Sequence, residues 1–240
     1  MNTSTNTATY IGQELELFKK AYNWKQYYRN IILPFLKNDV LEVGAGIGAT
    51  TEHLVNANVK KWTCLEPDPE LAKVVEQLLN NKQLPDVCNL IIGTTDDLDT
   101  SIKYDAIIYM DVIEHIEDDA AELKRAAQLL KPDAYLIILV PAHNWLRSPL
   151  DDAIGHYRRY NKSMLKNVVP STLKQIRLSY LDSIGLMASL GNKMLLKKSY
   201  PNEKQIRIWD SGMVPISKII DPLLGFNFGK SVLGIWQNKS

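Results

Sequence analysis

Four groups of residues in this chain have types and spacing that could do chemistry. The first is VLEVGAGIGATT, residues 40–51, where the carboxylate of Glu42 stands inside an apolar run and Gly44, Gly46 and Gly48 follow it. Glycine has no side chain to obstruct a ligand, and a turn of this kind running toward a helix presents backbone N–H groups at close range. The same letters satisfy the dinucleotide fingerprint, with Gly44, Gly46 and Ala49 in the small positions and an acid, Glu66, about 20 residues on. An acid there binds ribose hydroxyls in either reading. Glu42 separates them, because a dinucleotide fold keeps an apolar residue at that position. A buried carboxylate is costly without a partner, and the ammonium of an amino-acid moiety supplies one, directly or through water.

The second group is Asp111, Glu114 and His115. If these begin a helix they share one face, and His156 could complete a divalent-metal site of oxygen and nitrogen donors. A metal-free role, with His115 packed near the ligand, fits the spacing as well, so the metal stays open. The third is the polar and aromatic stretch AHNWLRSPLDDAIGHYRRYNKSML, too long for a simple connection, with His143 and His156 as candidate bases. Its GHYRRY segment sets a base, two aromatics and two guanidiniums side by side. The arginines either hold a carboxylate, phosphate or sugar oxygens of an acceptor or form a basic face packed on the domain. The fourth is a set of aromatics, Tyr22, Trp24, Tyr27 and Tyr28 near the start and Trp209 with Met213 and Pro215 near the end. They form a cover over a pocket or simply pack an N-terminal helix.

These residues need a scaffold, and the apolar pattern supplies one. From Val40 onward, runs of strand length alternate with amphipathic segments, the rhythm of βαβ units in a parallel sheet. Strands are predicted at 39–43, 60–65, 88–92, 104–110 and 134–140, then near 174–182 and at 230–236. DPELAKVVEQLLN and DDAAELKRAAQLLK serve as crossover helices. The expected fold is α/β, a doubly wound, Rossmann-like and mostly parallel seven-stranded sheet with an antiparallel last strand. One domain is expected: a helical cover over 1–37, a binding core over 38–182 containing an acceptor loop at 143–165, a helical insertion at 183–228, and the last strand and tail at 229–240. The first dozen residues, rich in Thr and Asn, read as frayed.

Composition narrows the partners. With 28 basic and 27 acidic residues the formal charge is +1, which gives no general pull toward nucleic acid or membrane and favours a small-molecule acceptor. Cys64 and Cys88 lie in strand-like stretches and read as buried thiols. MNTSTNTATYIGQE lacks the layout of a signal peptide, and no apolar run approaches the roughly 18 residues of a membrane span, so a cytoplasmic protein is expected. Oligomeric state is not legible.

Taken together the motifs resemble those of the class I S-adenosylmethionine-dependent methyltransferases. VLEVGAGIG resembles the family's first motif, CLEPDPELA the acidic end of its second strand, IIGTTDDL its adenine-contacting loop, YDAIIYMDVIEHIEDD its fourth strand and turn, and LLKPDAYLIILVPA its fifth strand. The resemblance runs from about residue 20 to 182, and the last strand fits the family's antiparallel seventh. It departs at Asp133-Ala134, where the family has paired glycines. The cofactor it implies is S-adenosylmethionine. Gly44, Ala45 and Gly46 would pass beneath the methionine moiety, Glu42 would face its amino group, and Glu66, followed by Pro67, would accept from both ribose hydroxyls. Thr95 and Asp96 would frame the adenine, and Met110, Asp111 and His115 would line the floor near the sulfonium. His156, His143 and Asp111 are the candidates for acceptor deprotonation. The Asp111, Glu114, His115 spacing is similar to that of ubiquinone-pathway O-methyltransferases and small-RNA 2′-O-methyltransferases, where such residues bind magnesium. LEVGAGIG, IEHIEDD and GHYRRY together resemble bacterial members for which saccharide or lipid-linked acceptors are expected. Methyl transfer to oxygen is the implied activity; a nicotinamide-dependent oxidoreductase and a non-catalytic cofactor-binding protein are the alternatives.

Overall fold

The computed structural model describes residues 15–191 and 202–239. The polar first dozen and residues 192–201 of the late insertion therefore lie outside the described residues. Seven strands, β1 (Asn38–Val43), β2 (Val59–Glu66), β3 (Cys88–Ile92), β4 (Tyr104–Met110), β5 (Leu130–Pro141), β6 (Leu173–Leu181) and β7 (Ser231–Asn238), form one sheet in the order β3-β2-β1-β4-β5-β7-β6. The first five are parallel, and β7 runs antiparallel between β5 and β6. Strand order reverses between β1 and β4, so the crevice at their carboxyl ends is where such a sheet binds ligands.

The central strands are near-continuous apolar runs because both their faces are covered. Val40, Ala106, Ile108, Ile137 and Leu139 join the core on one face, and Leu41, Ile107, Tyr109, Leu136 and Ile138 join the core on the other, the period-two alternation of a strand. The crossover helix Pro69–Asn80 starts where Asp68 accepts the Glu70 N–H, with proline in its first turn. The helix Asp119–Gln128 starts where Asp118 accepts the Ala121 N–H. Strand β5 begins four residues earlier than the pattern predicts, since Lys131 is tied to Asp39 and Asp105 at 2.6 and 2.7 Å and holds the segment against β1 and β4.

The helix Tyr22–Ile32 has no cap of its own at Ala21. Asp210 provides one from far along the chain, accepting the Asn23 and Trp24 N–H groups at 3.1 and 2.9 Å. Asp210 belongs to a continuous helical run made of Glu203–Ile208, a π-helical turn Trp209–Met213 and Val214–Leu223. Trp24 packs on Trp209 with centroids 5.9 Å apart, and the Tyr27 hydroxyl donates to Asp221 at 2.8 Å. Trp24, Tyr27 and Tyr28 are buried, so packing of the helix onto the insertion accounts for them, and of the four early aromatics only Tyr22 remains exposed. Among the described residues no helix is long and apolar enough to cross a membrane.

Candidate functional site

The turn after β1 is built from three glycines at positive φ, Gly44, Gly46 and Gly48. A Cβ on Gly44 would meet Val112 at 2.7 Å and one on Gly48 would meet Leu78 at 2.9 Å, whereas one on Gly46 would reach only Leu15 at 3.5 Å. The outer two glycines thus let the turn sit on its neighbours, and the middle one keeps a face of backbone clear. The Gly44 and Ala45 N–H groups donate to the Leu65 carbonyl. The Gly46 N–H donates to Glu66 Oε2 at 2.6 Å, and the Asp68 N–H donates to Oε1 at 2.9 Å. Each Glu66 oxygen therefore keeps a further lone pair for an incoming hydroxyl. Burial raises the Glu66 carboxyl above its ordinary value, partly offset by these two backbone donors. Pro67 follows at the exposed mouth of the turn.

Glu42 has internal partners that its sequence context did not reveal. Thr51 Oγ1 donates to Oε2 at 2.5 Å and Trp62 Nε1 to the same oxygen at 2.8 Å. A ligand cation is thus not required as its sole partner, which corrects the expectation. Yet both donors are neutral, and burial still pushes the carboxyl up to about 7. A cation placed beside it would relieve that cost.

In the turn after β3, Thr95 points inward, its hydroxyl donating to Glu122 at 2.7 Å. Asp96 stays exposed and pairs with Arg125 at 2.9 Å. The Thr95 hydroxyl is therefore engaged elsewhere, which leaves the backbone of this turn and the Asp96 carboxylate to meet a ligand.

The floor of the crevice lies at the end of β4. Met110 is half-buried, and Asp111 adopts φ 57°, a left-handed conformation that aspartate tolerates better than most residues. Asp111 and His115 retain accessible surface, yet protein encloses them far enough for desolvation to lift Asp111 to about 6 and lower His115 to about 4. Both traits together mark groups lining a cleft. The His156 ring and the cations Lys230, Lys25 and Arg159 favour the Asp111 carboxylate and oppose its desolvation.

Residues 111–115 do not begin an α-helix. A 3₁₀ turn spans Ile113–His115, and the group that assembles is Glu114, His115 and His156, whose ligand atoms lie within 4.8 Å of one another; Asp111 stands outside it. Two imidazoles and a carboxylate are a donor set able to hold a divalent ion, imidazole being the donor that transition ions favour. The structure thus brings together three of the four residues that the sequence offered as a divalent-metal site.

His156 is held with care. Its Nδ1 lies 2.8 Å from Asp151 Oδ1, and its Nε2 is 3.9 Å from Glu114 Oε1. Asp151 is itself gripped by Arg159 Nε and Nη2 at 2.6 and 3.0 Å, which helps hold its carboxyl far below the usual range against the cost of burial. The loop is stitched to the turn beneath it: the Tyr157 N–H donates to the Glu114 carbonyl, and Arg158 donates to the Ile116 and Glu117 carbonyls. Arg158 also meets Asp119 at 2.6 Å. Both GHYRRY arginines are thus consumed in positioning the loop, and the expectation that they grip an acceptor's anionic group gives way to the packing alternative. His143 is engaged elsewhere, its ring stacked between Trp145 and Tyr180 and its Nε2 on the Gly229 carbonyl at 3.0 Å.

Three residues of the cleft were not singled out from sequence. Asp151 carried a local signal, the Ser148-x-x-Asp151 capping box five residues before His156. Lys25 and Lys230 carried none. Lys25 donates to the Phe18 and Lys19 carbonyls and is lowered by burial to about 8; Lys230 lies 4.8 Å over the Trp209 ring and is also lowered, chiefly by burial.

Comparison with known proteins bears on this geometry. A family model described as a methyltransferase domain matches residues 19–180. Ubiquinone biosynthesis O-methyltransferase of Bradyrhizobium diazoefficiens is 26% identical over 106 residues, covering 44% of this chain and 41% of that protein. Its counterpart in Rhodopseudomonas palustris is 24% identical over 155 residues, covering 62% and 58%. The chain thus spans about half the length of the curated relatives it matches. In fold it is similar to N-methyltransferase NodS from Bradyrhizobium japonicum in complex with S-adenosylhomocysteine, with TM-score 0.62 at 14% identity and coverage of 98% and 100%. It is also similar to a Haloferax volcanii methyltransferase solved with the activator Trm112, with TM-score 0.66 at 13% identity and coverage of 95% of each chain.

Proposed function

The chain belongs to the class I S-adenosylmethionine-dependent methyltransferases, and from that membership we propose that it transfers a methyl group from S-adenosylmethionine to an oxygen of a small or medium acceptor. The observation that carries the choice of oxygen is the Asp151–His156 pair at the edge of the cleft. Methyl transfer to a hydroxyl needs a proton acceptor, and a histidine whose second nitrogen is fixed by a carboxylate is the arrangement that provides one.

The chain's residues fit the cofactor: an open glycine turn, an acid with spare lone pairs at the end of β2, and a buried carboxylate that a cation would relieve. When bound, S-adenosylmethionine supplies a methyl group already activated by its sulfonium. Gly44, Ala45 and Gly46 would carry the methionine moiety, with Glu42 toward its ammonium. Glu66 would hold the ribose hydroxyls beside Pro67. The 94–97 turn, with Asp96, would edge the adenine, and Met110, Asp111 and His115 would form the floor. With Nδ1–H donated to Asp151, His156 keeps Nε2 as the base that takes the acceptor's proton. Residues 38–182 would serve as the cofactor core and 143–165 as the acceptor loop, under a cover formed by the first 37 residues and the 183–228 insertion. Acceptors of saccharide, lipid-linked or similar metabolite type fit this reading, and the curated relatives' names, ubiquinone biosynthesis O-methyltransferase, support an oxygen.

The test is formation of S-adenosylhomocysteine against a panel of hydroxyl and amine acceptors, for wild type and His156→Gln. Turnover with a hydroxyl acceptor that collapses in His156→Gln, while cofactor affinity holds, is expected. Turnover confined to amines, or unaffected by the substitution, would overturn the oxygen assignment. Turnover with and without a chelator then tests whether a divalent ion at Glu114, His115 and His156 takes part.

A further inference from the structure

The chain enters β7 through Gly229 and Lys230, which cross the tops of two strands. The Ala142 N–H, just past β5, donates to the Lys230 carbonyl at 2.8 Å, and the Lys230 N–H donates to the Asp182 carbonyl, just past β6, at 3.1 Å. A Cβ on Gly229 would collide with the Leu181 carbonyl oxygen, so the crossing is pressed onto β6 and its course is fixed. Lys230 therefore stands at the same end of the sheet as the glycine turn and Asp111. Asp111 follows β4, and in the order β1-β4-β5-β7 the lysine lies two strand spacings further from β1, roughly 10 Å at the backbone.

The Lys230 side chain retains some accessible surface while protein surrounds it, as at Asp111, and burial is the chief reason that its ammonium is held below the ordinary lysine value. Among the described residues that ammonium makes no ion pair and no hydrogen bond; it lies over the Trp209 ring, 4.8 Å from the centroid. The charges around it are engaged elsewhere. Asp182 accepts the Trp209 indole N–H, the Ser217 hydroxyl and the Gly185 N–H at 2.7–3.0 Å. Asp151 and Arg159 hold each other at 2.6 Å, and Lys25 donates to two carbonyls. The Asp111 carboxylate, which borders the sulfonium in the methyl-transfer reading, has no direct partner among the described residues either. One cleft thus holds an acid on its cofactor side and a cation on the far side of β5. A cation–π contact offsets only part of the cost of enclosing an ammonium, and an anion brought by a ligand would supply the rest.

We propose that Lys230 selects the acceptor, and that the acceptor carries a carboxylate or phosphate for this lysine to hold as well as the hydroxyl that is methylated. The inference rests on the methyl-transfer reading and narrows its acceptor to anions. The anion-holding role that Arg158 and Arg159 cannot fill passes to Lys230. Packed along an indole, the lysine stem has little further freedom to lose when an anion binds.

Calorimetric titration of the protein saturated with S-adenosylhomocysteine tests it, each neutral probe being set against its anionic counterpart: catechol against 3,4-dihydroxybenzoate, and glucose against glucose 6-phosphate. The first pair reads a carboxylate and the second a phosphate. At least one anion is expected to bind about tenfold or more tightly than its neutral parent. Lys230→Met, which keeps the length of the side chain against Trp209, and independently Lys230→Gln should erase that ratio while S-adenosylhomocysteine affinity holds. Wild type with no preference for either anion, or a preference that survives in either folded variant, would overturn the proposal. Failure of wild type to bind S-adenosylhomocysteine, read before any probe is added, would instead end the methyl-transfer reading, and the acceptor assignment with it.

Discussion

At Glu42 the chain keeps a carboxylate out of water with two neutral donors, Thr51 and Trp62, and they do not cancel the cost of burial. The folded value of about 7 lies above the ordinary 4.5, so protonation of this group favours the ligand-free fold. That contribution is full below about pH 4.5 and is lost as pH rises through about 7, on the order of 3 kcal/mol in all. A ligand ammonium selects the carboxylate form, so cofactor-product binding should release a proton below pH 7. Affinity for S-adenosylhomocysteine should therefore rise by up to tenfold per pH unit toward pH 7 and level off above it, and Glu42→Gln should flatten the profile; titration calorimetry across pH reads both. Asp151 is a positioning residue of the same scale. Asp151→Asn keeps the size but changes what His156 Nδ1 can donate to, and should cost about 10²–10⁴-fold in turnover with cofactor affinity intact. A loss of folding or of cofactor affinity instead would assign Asp151 a structural role. Sequence showed His156 but not its partner's purpose, because Asp151 also reads as an ordinary capping residue.

Among the elements, the strands were the most legible and the cover the least. β4 lies where its apolar run placed it, since a strand covered on both faces has to be apolar throughout, and the half-exposed edge strand β3 also lies where it was predicted. The early extension of β5 depends on Lys131 reaching Asp39 and Asp105, pairings of long sequence separation that no local pattern carries. The cap of the N-terminal helix is likewise non-local, since Asp210 receives the Asn23 and Trp24 N–H groups from almost the whole chain away. Asp210→Ala should therefore destabilise the protein by about 1–3 kcal/mol, and hydrogen exchange should show the loss first in residues 22–32. Uniform loss across the sheet would contradict a local cap. In the glycine turn, Gly44→Ala should be costly because its Cβ meets Val112 at 2.7 Å on a backbone at φ 70°. Adding Val112→Ala should recover only the steric part, leaving the backbone strain; chemical denaturation of the two variants separates the contributions.

Over the whole molecule, the proposed cofactor half of the site is compact in sequence and the proposed acceptor half is not. Glu42, the glycines, Glu66 and the 94–97 turn follow one another on successive βα connections, and a single motif scan finds them. The cleft floor instead gathers Lys25, Asp111, His156, Arg159 and Lys230 from the helix Tyr22–Ile32, the residue after β4, the loop after β5 and the residue before β7. The two lysines have no signature because their meaning comes only from the fold that encloses them. The glycine turn and Glu66 carry the central claim, that this crevice takes an S-adenosyl group and not a nicotinamide dinucleotide. Titration calorimetry of the full chain with S-adenosylhomocysteine and, separately, with NADH, each repeated on Glu66→Ala, tests it most directly. S-adenosylhomocysteine binding that weakens by about 10- to 100-fold in Glu66→Ala, with no heat from NADH, is the expected result; NADH binding without S-adenosylhomocysteine binding would contradict the claim.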